Sequence, residues 1–296
     1  MTTPLARVDH VVIAVRDLDT AAAAYAAMLG RSPSWRGVHP SYGTANVLFG
    51  LADCYLELLA LDASPPRHPV GEALAAYLAH RSEGIFALAF GSNDLTATAT
   101  RLRSRGLTPD AITAGEARDP NGATRRWRSL PLARSETRGV TVFAIEHADR
   151  TAIAPAPAAT DARGVVTKID HVVLFSDGLA GALAFWRDTL GVPERWRRDF
   201  PERGTVNVGL RLGSTTLELV APSADGEGER GERAWGLAYE VGDVDAAVAR
   251  LRGASVPVGD ARAGLAPATR VCTVKWADRV PTLLIAHRRP RTSDQV

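Results

Sequence analysis

Apolar positions along the chain come in short runs separated by turn-forming residues, and one such pattern occurs twice. Residues 8–15 form an apolar run around a single polar pair, Asp9-His10, and read as a strand. An alanine-rich stretch follows, with Asp17 placed as an N-cap and Gly30 as a stop, which predicts a helix over residues 17–29. Runs at 34–38, 44–51 and 55–61, separated by Pro40, Gly43 and Asp53, predict three more strands, so the order is βαβββ. A shift of 161 residues carries residues 8–58 onto 169–219 without a gap. The copy keeps unusual residues. Asp9-His10-Val11-Val12 returns as Asp170-His171-Val172-Val173, and Trp35-Arg36 as Trp196-Arg197. Pro40, Gly43-Thr44 and Asn46 match Pro201, Gly204-Thr205 and Asn207, and Leu56-Glu57-Leu58 matches Leu217-Glu218-Leu219. Self-similarity that includes polar and aromatic positions indicates a duplicated unit.

A weaker unit of the same order follows each copy. After a connecting helix over 71–81, the first has a strand at 85–91, a helix from Asn93 or Asp94 to 105 stopped by Gly106, and strands near 125–130 and 140–147. In the second half the pattern predicts a strand at 169–176, a helix at 178–190 and strands leading to 217–221. An acidic loop over 223–232 then precedes a strand at 236–241, a helix at 244–252 and strands near 270–276 and 281–287. Between the halves, Ala-Pro-Ala-Pro-Ala-Ala reads as an exposed linker, since alternating proline can neither complete a ladder nor continue a helix. The fold class is therefore α+β. Modules at about 7–62, 84–148, 168–222 and 234–288 sit in domains 1–149 and 167–290, with a linker at 150–166 and a tail at 291–296.

Length and composition narrow the function classes. A chain of 296 residues has a prior of about two domains. No apolar run approaches the ~20 residues of a membrane span, and residues 1–6 lack the features of a signal peptide. The expectation is a cytoplasmic protein, monomer or homodimer, with a small-molecule partner and neither membrane nor nucleic acid. The net charge of +2 comes from 35 basic and 33 acidic residues whose basic members are scattered, which is no nucleic-acid footprint. Arg288-Arg289 and Arg291 read as a solvated end. Cys54 and Cys272 have no metal-motif spacing and are expected to be reduced core residues. Gly226, Gly228 and Gly231 satisfy GxGxxG, but they lie among Glu227, Glu229 and Glu232 and precede a strand, so the dinucleotide reading fails. No P-loop, HExxH or GxSxG motif is present.

With the DHVV strand, the GTxN turn and the LEL strand in place, the chain resembles the vicinal oxygen chelate superfamily, the glyoxalase and bleomycin-resistance fold, in its glyoxalase-like branch. The resemblance implies that paired βαβββ units form curved mixed sheets enclosing a cleft. It also implies a divalent metal such as Zn, Ni, Mn or Fe, held by a first-strand His and a last-strand Glu. Carried over, these ligands are His10 and Glu57 in the first unit and His171 and Glu218 in the third. The partner units place Ala87 and Gly236 at the first-strand position, and about Phe143 and Leu283 at the last. Each two-unit cleft would then supply half of a four-ligand set, which disfavours glyoxalase I itself and an extradiol dioxygenase. His147 and His287, four residues beyond Phe143 and Leu283, could supplement the set. Alternatively, packing unit one on unit three would join His10, Glu57, His171 and Glu218 in one site.

The implied activity is isomerase, lyase or proton-transfer chemistry on a small oxygenated molecule, with Glu57 or Glu218 as base or ligand and His10 or His171 as acid or ligand. The alternative is a metal-free binding protein of the bleomycin-resistance type. Candidate substrate-binding residues are Asn46, Asn207, Arg125, Arg270 and Trp127. Asn46 and Asn207 could equally satisfy turn backbone, Trp35 and Trp196 could serve packing, and an imidazole after an aspartate could be a bonded core histidine.

Overall fold

The computed structural model describes residues 5–63, 68–150, 153–155, 162–223, 232–276 and 278–287. The first half contains β1 (Arg7–Ala14), α1 (Leu18–Leu29), β2 (Trp35–His39), β3 (Thr44–Gly50), β4 (Tyr55–Leu61) and α2 (Pro69–His80). It continues with β5 (Gly84–Gly91), α3 (Leu95–Arg103), β6 (Thr113–Arg118), β7 (Thr124–Leu132) and β8 (Val142–His147). The second half contains β9 (Val166–Ser176), α4 (Leu179–Leu183), β10 (Glu194–Phe200), β11 (Thr205–Leu212) and β12 (Thr215–Pro222). It ends with β13 (Glu232–Val241), α5 (Val244–Gly253), β14 (Arg262–Ala263), β15 (Thr269–Val274) and β16 (Thr282–His287).

Each half is one mixed sheet built from two βαβββ units joined through their first strands. β1 runs antiparallel to β5, and β9 to β13, so sequential units pair and the alternative of unit one on unit three is set aside. The two sheets differ at their ends. In the first, Val38 of β2 meets Arg118 of β6 and closes the order β1-β4-β3-β2-β6-β7-β8-β5 into a barrel. The expected cleft is thus enclosed within a closed barrel in domain one. In the second, β10 and β14 are edges and the sheet stays open. The strand at the junction, β6, spans six residues, whereas its counterpart β14 spans two and remains an edge.

Alternation along β1 sends Val11 and Ile13 outward to α1, where Ala21, Tyr25 and Met28 are buried, and Val12 and Ala14 to a second cluster with Leu59, Leu74 and Ala87. The outer cluster continues into Val172, Leu174 and Trp186, so the two sheets share one apolar core. α1 begins and ends as its caps dictate: Asp17 accepts from the Thr20 amide, and Gly30 takes the left-handed conformation at φ 70°. Arg250 of α5 donates to the carbonyls of Ala27 and Met28 at the end of α1, a helix terminus that favours a cation. Cys54 and Cys272 are free and buried, and burial pushes their thiols up to about 12 and about 11. No helix among the described residues is long and apolar enough to cross a membrane.

Three local expectations need correction. The helix expected over 178–190 ends at Leu183 and passes into a π-helical turn over Ala184–Thr189. The wider turn lets the adjacent Phe185 and Trp186 both be buried, and Trp186 Nε1 donates to Glu232 Oε2 at 2.6 Å. β6 and β14 carry too few apolar residues to stand out as strands in sequence. The linker is not wholly exposed either, because Ile153 is buried against Trp35, Leu48, Tyr55 and Ala117. Most of its Ala-Pro run, the acidic loop with its glycines and the arginine tail lie outside the described residues.

Candidate functional site

The site is built on a β-bulge. Val8 pairs with Phe90 and His10 with Ala89, leaving Asp9 without a partner across the ladder. Ala238 pairs with His171 and Tyr239 with Ile169, which leaves Asp170 in the same position in the second sheet. Adjacent strand residues normally face opposite ways. The bulge re-aims one of them, so aspartate and histidine can bond to each other. His10 Nδ1–H donates to Asp9 Oδ1 at 3.0 Å, and its Nε2 lies 3.4 Å from Glu57 Oε2. Asn46, a diagonal neighbour on β3, donates from Nδ2 to Glu57 Oε1 at 2.7 Å. His147 Nε2–H donates to Asp9 Oδ1 at 2.9 Å, while the guanidinium groups of Arg150 and Arg7 hold Asp9 Oδ2.

Domain two repeats the histidine, glutamate, asparagine and aspartate part of the network, among the described residues without the two arginines. His171 Nδ1–H donates to Asp170 at 2.8 Å, His171 Nε2 lies 3.2 Å from Glu218, Asn207 donates to Glu218 at 2.7 Å, and His287 donates to Asp170 at 2.7 Å. Carboxylates only accept, so an imidazole bridging two of them carries both protons. The asparagines thus hold the glutamates rather than turn backbone.

Electrostatics separate the two copies. Burial alone would raise the carboxyl pKa of Asp9, but hydrogen bonds from His10 and His147 hold it well below the usual range. Burial likewise opposes ionisation of Glu57, yet the His10 hydrogen bond and charge bring it down to about 2. His10 is raised, because its bonds to Asp9 and Glu57 outweigh burial, whereas burial lowers His147 against its bond to Asp9. In domain two Asp170 is lowered against its burial by bonds from His171 and His287; His171 is raised by Asp170, and His287 is raised first by its bond to Asp170. His10 and Glu57 are 1% and 9% exposed, and the side chains of His171 and Glu218 are 17% exposed each.

The register confirms which positions face the pair. Glu57 pairs with Val12, Phe143 with Ala89 and Leu283 with Ala238, so Phe143 and Leu283 hold the places that mirror Glu57 and Glu218. The ring of Phe143 lies edge-on to His10, with centroids 5.6 Å apart. The supplementary histidines turn to the aspartates rather than to the His–Glu pair. Two groups among the described residues could hold a metal ion, Asp9-His10-His147 and Asp170-Glu240-His287. In the first, Asp9 already faces Arg150 and Arg7, which oppose a dication; in the second, Lys168 Nζ sits 3.0 Å from Glu240. His10 and Glu57 therefore fit a divalent ion only as a two-donor seat completed by substrate or water. His171 and Glu218 offer a similar seat in a separate sheet.

The substrate candidates part company as well. Arg125 is buried in the barrel, while Arg270, expected to match it, falls by strand register at the place of Arg128 and pairs with Asp245 at 2.8 Å on the partly exposed flank of α5. Trp127 lines the interior beside His39 and Tyr42. Trp35 is buried and Trp196 is 41% exposed. Sequence reasoning missed Tyr55, whose ring stacks on His10 at 4.2 Å, and His39, which burial keeps below its usual pKa. Tyr55 corresponds to Thr216 in the repeat, so no recurrence signalled it. Asp9 and Asp170 did recur, which was the available clue to their role.

Comparison with known proteins places this geometry in a family. Residues 8–167 match the model of the glyoxalase-like domain, and residues 168–263 match that of the glyoxalase/bleomycin resistance protein/dioxygenase superfamily. No curated protein sequence matches the chain. Among solved structures, a mutant of 4-hydroxymandelate synthase from Streptomyces coelicolor is similar at 15% identity and TM-score 0.65, with 98% of this chain and 94% of that one covered. The Mn(II)-bound glyoxalase from Novosphingobium aromaticivorans is similar at 17% identity and TM-score 0.62, covering 96% and 83%. A hypothetical protein from Staphylococcus aureus is similar at 12% identity and TM-score 0.63, covering 94% and 98%. With a duplicated His–Glu pair on tandem βαβββ sheets, the chain belongs to the glyoxalase-like branch of the vicinal oxygen chelate superfamily.

Proposed function

We propose that the chain is an enzyme that moves a proton at a carbon beside an oxygen-bearing group of a small molecule, an isomerase or lyase step, using His10 and Glu57. The observation that supports this most is a mismatch of distances. In a buried site the flanking bonds are 3.0 and 2.7 Å, but His10 Nε2 and Glu57 Oε2 stand 3.4 Å apart. A charge-assisted bond of this kind is normally about 2.7–2.9 Å, so a substrate oxygen can compete for the Nε2 proton. Glu57 at about 2 is too weak a base while His10 serves it. Once the substrate oxygen takes that proton's bond, the carboxylate regains basicity and accepts the carbon-bound proton. The imidazolium, held by Asp9, then stabilises the developing enolate oxygen. Asn46 keeps Glu57 Oε1 fixed, leaving Oε2 as the reacting atom.

The reading assigns this step to domain one, where burial strengthens every charge–charge contact. A divalent ion, if held by His10 and Glu57, would polarise a substrate carbonyl or enolate oxygen; the similarity of fold to an Mn(II)-bound glyoxalase supports that possibility. A metal-free binding protein is the second reading, favoured by the closure of the barrel over His10 and Glu57.

The test is proton exchange. A panel of small hydroxy- and oxo-compounds is incubated with protein in D2O, and loss of the α-proton signal is followed by NMR, alongside elemental analysis of protein prepared without chelator or nickel. Exchange that needs the protein and disappears in Glu57→Gln supports the reading. Exchange unchanged in that variant refutes it, and tight binding without exchange favours sequestration. Metal that is lost in His10→Ala but kept in His171→Ala would put the ion in domain one.

A further inference from the structure

Among the described residues the barrel holds a cation that no carboxylate answers. Arg125 on β7 is 6% exposed, and its Nε has no hydrogen-bond partner. Among the described residues no carboxylate pairs with it. Its guanidinium instead lies 5.3 Å from the ring centre of Trp35, 5.9 Å from Tyr55 and 6.0 Å from Trp127. Ring faces attract a guanidinium but replace only part of the hydration that burial removes. Two other buried polar atoms of domain one are also unpartnered, Trp35 Nε1 beside it and Asn46 Oδ1. They belong to one wall, since Asn46 pairs with Gly37 and Trp35 Nε1 lies over Gly37. Alternation along β7 keeps the other arginines out of the barrel: Arg126 and Arg128 face outward and bond Glu116 and Glu146.

We infer that barrel one takes a small molecule bearing a carboxylate, and that Arg125 is the residue that recognises it. This names the substrate class for the His10–Glu57 site and rests on that reading for its catalytic meaning. A planar guanidinium matches a carboxylate in a two-pronged geometry. A phosphate dianion fits worse, because Arg125 is a single charge and Glu57 projects its field into the same interior, where it acts on Tyr55 and His39. Asn46 Oδ1 is an acceptor, so a hydroxyl next to the carboxylate would be favoured over a bare hydrocarbon. In domain two Arg270 stands by strand register at the place of outward-facing Arg128 and bonds Asp245 through Nη2, although its Nε is unpartnered too, so the buried arginine of barrel one has no counterpart in Arg270.

The probes are sodium benzoate, neutral benzamide and inorganic phosphate, titrated into the metal-free full chain by calorimetry and by fluorescence, because Trp35 and Trp127 flank Arg125. Benzoate is expected to bind and to quench, with benzamide and phosphate weaker by about 30-fold or more. Arg125→Met is expected to lose roughly 100-fold in benzoate affinity, Arg125→Lys to fall between, and Arg270→Met to bind as wild type. Benzamide binding as well as benzoate, no benzoate binding to wild type, or undiminished binding in Arg125→Met would overturn the inference. Should Arg125→Met fail to fold, undiminished affinity in Arg125→Lys would overturn it instead. Failure here is separable from failure of the catalytic reading: Glu57→Gln should still bind benzoate while losing proton exchange.

Discussion

Asp9→Asn tests the network at its centre. Asp9 is fully buried and accepts from His10, His147, Arg7 and Arg150. The amide cannot balance the charges of His10 and Arg150, and its NH2 group would face donors where an acceptor is needed. Breaking a buried ion pair by removing one partner costs about 3–5 kcal/mol. At roughly 2–4 °C per kcal/mol for a chain of this size class, the melting temperature should fall by on the order of 6–20 °C. Asp170→Asn should cost less, about 1–2 kcal/mol, because the Asp170 side chain is 15% exposed, that of its partner His287 is 48% exposed, and water can replace what is lost. Urea unfolding at pH 7 of wild type and both variants measures the difference, with far-ultraviolet and tryptophan signals compared to detect separate transitions. Equal costs for the two aspartates, or a cost below about 1 kcal/mol for Asp9→Asn, would refute the argument that buried charge balance holds the first site together.

Other outcomes follow from the same geometry. The pKa of Glu57 is depressed, so its contribution to stability is complete above its ordinary value of 4.5 and is lost as pH falls toward about 2; acid unfolding in that window should shift to higher pH in His10→Gln. His10 is raised instead, so its contribution is complete below about 6.5 and is lost as pH rises through its folded value. Histidine titration by NMR should therefore find His10 above, and His147 below, the ordinary value. Gly50→Ala would set a Cβ in clash with the Ile153 and Ala154 carbonyls, so it should displace them and raise proteolysis near residue 153, as read by limited digestion. Asp17→Ala removes the cap of α1 and should cost about 1 kcal/mol in urea unfolding.

Much of the fold was written locally. The run at Val8, the cap at Asp17 and the stop at Gly30 each act within a turn or a strand, so β1 and α1 appear where the pattern puts them. The in-register return of His10, Glu57 and Asn46 as His171, Glu218 and Asn207 marked the pair that the sheets do bring together. Local pattern could not say that one sheet closes and the other stays open, because closure depends on β2 meeting β6 across about 80 residues of chain. It could not separate Arg125 from Arg270 either, since both follow a threonine at the start of a strand. Only tertiary packing buries one inside a barrel and hands the other to Asp245. The bulge that turns Asp9 toward His10 was equally invisible, because a bulge is a mismatch between two strands and belongs to neither alone. The sequence by itself determined the units, their duplication and the residue types of the site. Tertiary structure decided which copy is sealed from water, and so where charge is left to act on a ligand.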